Sequence, residues 1–197
     1  TTNEACTYNT SINFIVNTLP IANPVTIAPA CDGDSGDLDN DLMFPFNLSS
    51  IENTVLGNQV GMDIFYTYID NNNNQVTQSP TLPNTLLSGN QTIIIEVINP
   101  LNTVCTATTT VDLVVNSKPE FTVESPRIIC SSDPNFSITL DVNLNQSGSA
   151  YNYEWTRTSL DNSVTNQFIA NTESITVSQT GNYTVKLTAI NGTNCSR

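Results

Sequence analysis

The sequence predicts an all-β fold of tandem β-sandwich modules, beads on a string, and three observations carry that prediction. Short β-branched or aromatic runs of strand length recur along the chain. Clusters of Asn, Gly, Pro and Ser separate them, such as Asn71–Asn74 and Gln146–Ser149. The cysteines and their flanking prolines repeat at a fixed interval.

Taken in order, strands are expected at Ile12–Val16, Met62–Ile69, Thr92–Ile98, Thr108–Val115, Phe136–Val142, Tyr151–Arg157, Ser174–Ser178 and Tyr183–Ile190. Ser49–Leu56 is the one helical segment. Ser49 or Ser50 would cap it, and Ile51, Val55 and Leu56 fall on one face.

The repeat sets the domains. Cys6 to Cys105 is 99 residues, and so is Cys31 to Cys130. Pro20 and Pro119 each follow fourteen residues after Cys6 and Cys105, and the next cysteine comes eleven residues later. CTYNTSINFIVNTLP and CTATTTVDLVVNSKP share one alternating pattern, so the period is read as structural. Residues 1–19 then form the last strand of a preceding module, 20–118 a complete module, and 119–197 most of a third. TTNEACTYNT has neither the basic start nor the apolar core of a signal peptide, in keeping with that division.

By position within this register, Cys31 is expected to pair with Cys105 and Cys130 with Cys195, leaving Cys6 with no partner in the chain. Cystines imply an oxidising, extracellular setting. About 90 to 100 residues of short antiparallel strands around one cystine is the pattern of an immunoglobulin-like sandwich.

Composition narrows the function. The chain has 28 Asn and 28 Thr, no His, and a net charge of −13. Absence of His removes most hydrolytic triads and His-ligated metals. The acidic balance excludes nucleic acid and anionic membrane as partners. No apolar run reaches the ~20 residues of a membrane helix.

The charge is uneven. Residues 1–117 carry eleven acids and no Lys or Arg, whereas 118–197 carry seven acids and all five bases.

The sharpest local feature is CDGDSGDLDND, which places Asp32, Asp34, Asp37, Asp39 and Asp41 within ten residues. Carboxylates this close repel unless a cation sits among them, and residues 1–117 supply none. An oxygen-rich flexible loop suits calcium, although the spacing is not that of an EF-hand. The corresponding SSDPNFS of the third module keeps only Asp133, so calcium is expected in the second module alone.

Tyr151, Tyr153 and Trp155 alternate on one strand face, as a sandwich core or as a sugar-stacking platform, the core reading being preferred. Tyr183 in TGNYTV has the setting of a tyrosine that pins a sandwich corner. Tyr66, Tyr68 and Ile64 are read as structural. Asp37 with Asp39, or Asp63 with Asp70, could form glycosidase-type pairs, but nothing separates them from surface acids. No enzymatic activity is expected.

CDGDSGDLDND, FPFNLSSIENTVLGN, QTIIIEVINPLNTVC and TATTTVDLVV together resemble the tandem β-modules of very large Bacteroidetes surface proteins, whose repeats run CDDDxDGxxxFDL, a short helix, then QTIYVRVEN and a cysteine. YNYEWTRTS and SQTGNYTVKLTAINGTNCS resemble the immunoglobulin-like or PKD-type repeats of the same chains. The resemblance implies a segment of a type IX-secreted adhesin of the gliding-motility kind: extracellular, non-catalytic, monomeric, contacting its neighbouring modules and a surface polysaccharide or other substratum. The competing function is a carbohydrate-binding module array of a secreted polysaccharide-active protein. The acidic motif departs from the family by running on to Asp39 and Asp41 and by Leu42–Pro45 before Phe46.

Overall fold

A computed structural model describes residues 8–36, 40–128, 132–133, 135–144, 151–190 and 194–197. It is nearly all β, as the alternation predicts. Strands β1 (Ala30–Cys31), β2 (Phe44–Asn47), β3 (Asp63–Ile69), β4 (Gln75–Ser79), β5 (Thr85–Ser88), β6 (Gln91–Ile98), β7 (Thr106–Leu113) and β8 (Val115–Asn116) precede residue 118. After it come β9 (Phe121–Val123), β10 (Ile138–Leu144), β11 (Tyr151–Thr158), β12 (Gln167–Ala170), β13 (Ser174–Val177) and β14 (Asn182–Ala189). Helix α1 spans Ile51–Leu56.

Among the described residues the sheets run β1-β8, β2-β5, β4-β3-β6-β7, β13-β10-β9 and β12-β11-β14. Each draws its strands from one side of residue 118. By compactness the chain divides differently. One unit holds the residues up to Thr26 with Asn47–Asn84 and Thr92–Val111, and the other holds Ile27–Phe46, Thr85–Gln91 and Asp112–Arg197.

In the first unit β3 and β6 pair antiparallel from Asp63 opposite Ile98 to Thr67 opposite Ile94. The period of two then sends Ile64 and Tyr66 of β3, and Ile93, Ile95 and Val97 of β6, to a buried face. The expected helix forms, one turn and a half long, with Ile51 and Val55 buried. Ser50 stands at its N-cap but makes no side-chain cap bond.

The second unit contains two sheets packed face to face. Val142 of β10 and Ile175 of β13 come from one; Trp155 of β11 and Leu187 of β14 come from the other. The four form one buried cluster. Trp155 is 2% exposed, and its indole N–H donates to the Thr172 carbonyl at 2.8 Å, so burial leaves the ring's polar edge satisfied. Tyr151 and Tyr153 are half-buried against the same cluster. The row of rings is core, as preferred from sequence. The Tyr183 hydroxyl donates to the Gln179 carbonyl at 2.9 Å, the corner-pinning bond that TGNYTV suggests.

One strand expectation fails. Ile12–Val16 has strand composition but forms no strand; residues 8–16 are all exposed. A strand is held by a neighbour's ladder, and none of the described strands pairs with this segment. Among the described residues the first anchors are Thr18, whose carbonyl accepts from Asn99 Nδ2 at 2.9 Å, and Ile21, which exchanges bonds with the Gln59 side chain. No helix among the described residues is long and apolar enough to cross a membrane.

Candidate functional site: a disulfide clasp beside an acidic loop

The site is built on β1 and β8. These strands pair in parallel, Ala30 opposite Val115 and Cys31 opposite Asn116. The Ala30 and Asp32 N–H groups donate to the Val114 and Asn116 carbonyls, each at 2.9 Å. This ladder fixes Cys31 at the mouth of the acidic loop.

Opposite it stands the end of the chain. Leu187 and Arg197 exchange two backbone bonds of 2.9 and 3.0 Å, and the Ala189 N–H donates to the Cys195 carbonyl at 2.9 Å. Cys195 is fully buried. Cys31 and Cys195 are joined as a disulfide, with 5.6 Å between their Cα atoms and 164 residues of sequence separation. Cys195 Sγ lies 3.9 Å from the Asn116 carbonyl. Being oxidised, it carries no proton to donate, so this is a packing contact.

This pairing overturns both expected bridges. Cys31 is bonded to Cys195 rather than Cys105, and Cys195 is thereby closed to Cys130. Cys105 is a free, half-buried thiol. Strand geometry explains the difference. Cys105 immediately precedes β7, and Cys31 pairs beside the residues that follow β7. Eight residues at ~3.3 Å each separate the two ends of that strand by about 26 Å, far beyond the ~7 Å limit for a cystine. Cys6, Cys130, Asp37 and Asp39 lie outside the described residues.

The loop after Cys31 is made by turns. Asp34 N–H donates to the Cys31 carbonyl at 3.2 Å and Gly36 N–H to the Gly33 carbonyl at 3.3 Å. Gly33 has φ +72° and Gly36 φ +85°, left-handed backbone that glycine adopts without steric cost.

The acids do different things. Asp32 is 2% exposed; its Oδ2 accepts from the Asn40 N–H at 2.8 Å, while its Oδ1 is buried with no hydrogen-bond partner. Asp34 Oδ1 stands 2.9 Å from Lys118 Nζ. Asp41 Oδ1 accepts from the Met43 N–H at 2.9 Å, closing its own turn. Arg197 completes the clasp by donating to Asn40 Oδ1 at 3.4 Å.

The counter-charge that the first 117 residues lack thus comes from position 118. Among the described residues no three acidic or sulfur side chains converge as a ready metal site. The orphaned Asp32 Oδ1 is nonetheless the sort of oxygen a hard cation would satisfy.

The other sequence candidates are turn-formers. Asp70 Oδ1 accepts from the Asn72 and Asn74 N–H groups at 2.9 and 2.8 Å, and these backbone bonds hold its carboxyl below the ordinary range. Asp63 opens β3 in an exposed position, opposite Ile98.

Sequence reasoning missed Lys118 and Asn116, which hold the loop and the clasp. A lysine directly before Pro119, next to an acid-rich stretch with no base of its own, was the available signal for the first.

Residues 28–119 match the model of one protein family, described as the Flavobacterium inter-domain disulphide bond domain. The match covers just under half of the chain and places that segment with a Bacteroidetes domain. No curated protein matches the chain.

Proposed function

We propose that this chain is a non-catalytic, force-carrying segment of an extracellular surface adhesin, and that its disulfide is a mechanical shunt. The observation behind the reading is the Cys31–Cys195 bond, which closes a covalent loop around 164 residues of sequence. Tension applied along the backbone passes from residue 31 directly to residue 195. Strands β2 to β14 lie inside the loop and carry no load while the bond is intact. A family described by an inter-domain disulphide fits a bond that ties the start of one repeat to the end of the next.

The same rule accounts for Cys105. The Asn99 N–H donates to the Cys105 carbonyl at 3.0 Å, just as Ala189 does to that of Cys195 six residues on, so the two cysteines hold equivalent places. If each such cysteine bonds the first cysteine of the module before it, the partner of Cys105 lies one repeat upstream of Cys31.

Calcium is the proposed ion of the acidic loop, supported by the buried Asp32 Oδ1. Binding only to the folded state would raise stability as RT ln(1+[L]/Kd), about 2.7 kcal/mol at a hundredfold excess. Melting in millimolar calcium and in chelator tests it. The shift should vanish in Asp34→Ala/Asp39→Ala, and identical curves for the parent chain would remove the ion from the account.

A glycan array separates the adhesin stalk from the carbohydrate-binding alternative. The stalk reading expects no saturable sugar binding by this chain; specific, saturable binding would favour a carbohydrate-binding module.

A further inference from the structure

The bonds around the disulfide close on themselves. Cys31 is bonded to Cys195. Arg197, two residues after Cys195, donates to Asn40 Oδ1 at 3.4 Å. The Asn40 N–H donates to Asp32 Oδ2 at 2.8 Å, and Asp32 directly follows Cys31. The circuit runs from Cys31 through Cys195, Arg197, Asn40 and Asp32 back to Cys31.

That circuit fixes one carboxylate. The Asp32 N–H donates to the Asn116 carbonyl at 2.9 Å while its Oδ2 takes the Asn40 N–H, so backbone and side chain are both held. Its Oδ1 is left buried and unpartnered, in a residue 2% exposed. The carboxylate faces into the loop, because the same group bonds the loop's far end at Asn40. A buried carboxylate oxygen with no donor is costly unless a cation meets it. Asp34 is a poorer anchor, being 55% exposed and engaged by Lys118.

A residue that bonds a metal ligand from behind sets the ligand's orientation, and losing it weakens metal binding by about 10–100-fold. Asn40 stands in that relation to Asp32. Arg197 holds Asn40 from the Cys195 side of the disulfide. The covalent link and the candidate ion therefore bear on the same carboxylate.

We propose that the disulfide and the calcium of the acidic loop are coupled: the oxidised chain binds calcium more tightly than the reduced one, and bound calcium protects Cys31–Cys195 from reduction. This rests on the calcium reading and goes beyond it by making the ion a regulator of the shunt. Linkage requires the two effects to be equal in size. A dithiol supplies the two electrons that split the S–S bond; both cysteines leave as thiols, and the dithiol becomes a cyclic disulfide. Cys195 and Arg197 then lose their covalent tie to Cys31, Asn40 loses its fixed neighbour, and Asp32 Oδ1 loses its orientation. Bound calcium opposes each of these changes. The shunt is locked in a calcium-rich medium and opens to reductants when calcium is withdrawn.

Two measurements on the full chain test this. Competition with a fluorescent chelator gives the calcium affinity of the oxidised chain and of Cys31→Ser/Cys195→Ser, and the expected loss is about tenfold or more. The second needs no cysteine variant to fold: the parent chain is equilibrated in dithiothreitol redox buffers, and alkylated Cys31 and Cys195 are counted by peptide mapping. The dithiol-to-disulfide ratio at half reduction should be about tenfold or more higher in saturating calcium than in chelator. Arg197→Gln keeps both cysteines and should shrink that shift. Equal affinities with an unmoved midpoint would overturn the coupling and leave the calcium reading standing. No calcium binding by the oxidised chain would remove both. A shift undiminished in Arg197→Gln would overturn the route through Asn40.

Discussion

Lys118 Nζ stands 2.9 Å from Asp34 Oδ1, so the first basic residue of the chain neutralises an acid of the loop beside the disulfide. The pair is unequal: the lysine side chain is 14% exposed and the aspartate 55%. Water and salt screen such a bridge, and its contribution is held to under about 1 kcal/mol. Lys118→Met should lower stability by no more than that in urea melts at low salt, and the difference should shrink at high salt. A loss of several kcal/mol would mean that the lysine does more than balance charge.

The disulfide should matter far more. In the loop-entropy description a cross-link spanning 164 residues stabilises by about 5 kcal/mol. Peptide mapping without reduction should recover Cys31 linked to Cys195, with Cys105 open to alkylation. Trypsin cutting at Arg157 should leave pieces that part only on reduction. A Cys31–Cys105 peptide would contradict the structure.

Trp155 is the only tryptophan and lies in the buried cluster with Val142, Ile175 and Leu187. Its fluorescence should be blue-shifted in the native chain and move to the red on unfolding. Trp155→Ala should cost about 3–5 kcal/mol through the cavity it leaves. Trp155→Phe keeps most of the volume but strands the Thr172 carbonyl, and should cost about 1–3 kcal/mol. A native spectrum already red-shifted would place the ring at the surface.

Two groups should leave a mark on the pH dependence of stability. Bonds from the Ser159 and Ser163 hydroxyls, and from the Ser163 N–H, hold the Asp161 carboxyl down to about 2. Its folded value lies below its unfolded value near ~4, so its stabilisation is present above about pH 4 and lost as pH falls towards 2. The acid limb of stability should be shallower in Asp161→Asn.

Burial, followed by the nearby Glu52, pushes the Tyr66 hydroxyl up to about 12. This contribution is present below about pH 10 and lost as pH rises towards 12. Absorbance near 295 nm should show one of the six tyrosines titrating last, and Tyr66→Phe should remove it. The hydroxyl has no hydrogen-bond partner, so that variant should not be less stable at neutral pH.

Much of the fold was legible because alternation reports burial directly. The long strands β3, β6, β7, β10, β11 and β14 and the core place of Trp155 follow from it, whereas the Ile51–Val55 face of α1 follows from helical spacing and the role of Tyr183 from its TGNYTV setting. Strands β1, β2, β8 and β9, of two to four residues, are too short to hold a pattern, although the four residues of β13 fall within the expected Ser174–Ser178. Ile12–Val16 shows the opposite failure. Its pattern is intact, but a strand also needs a neighbour, which composition does not encode.

The cystine was illegible for a related reason. Spacing identifies equivalent cysteines, yet pairing depends on which ends meet in space. Here Cys31 at the end of β1 and Cys195 meet across 164 residues. The Asp32–Asp41 cluster stood out correctly as a feature, but its counter-charge lay one residue past the segment whose charge balance suggested that it had none.

Pulling single molecules by their termini, oxidised and reduced, tests the shunt most directly. With Cys31–Cys195 intact, extension should release only the residues outside the bond, with no unfolding step from inside it. After reduction the same chain should lengthen by a further 550 Å or so, at ~3.3–3.6 Å for each of the 164 residues of separation. Equal extension in the two states would contradict the account.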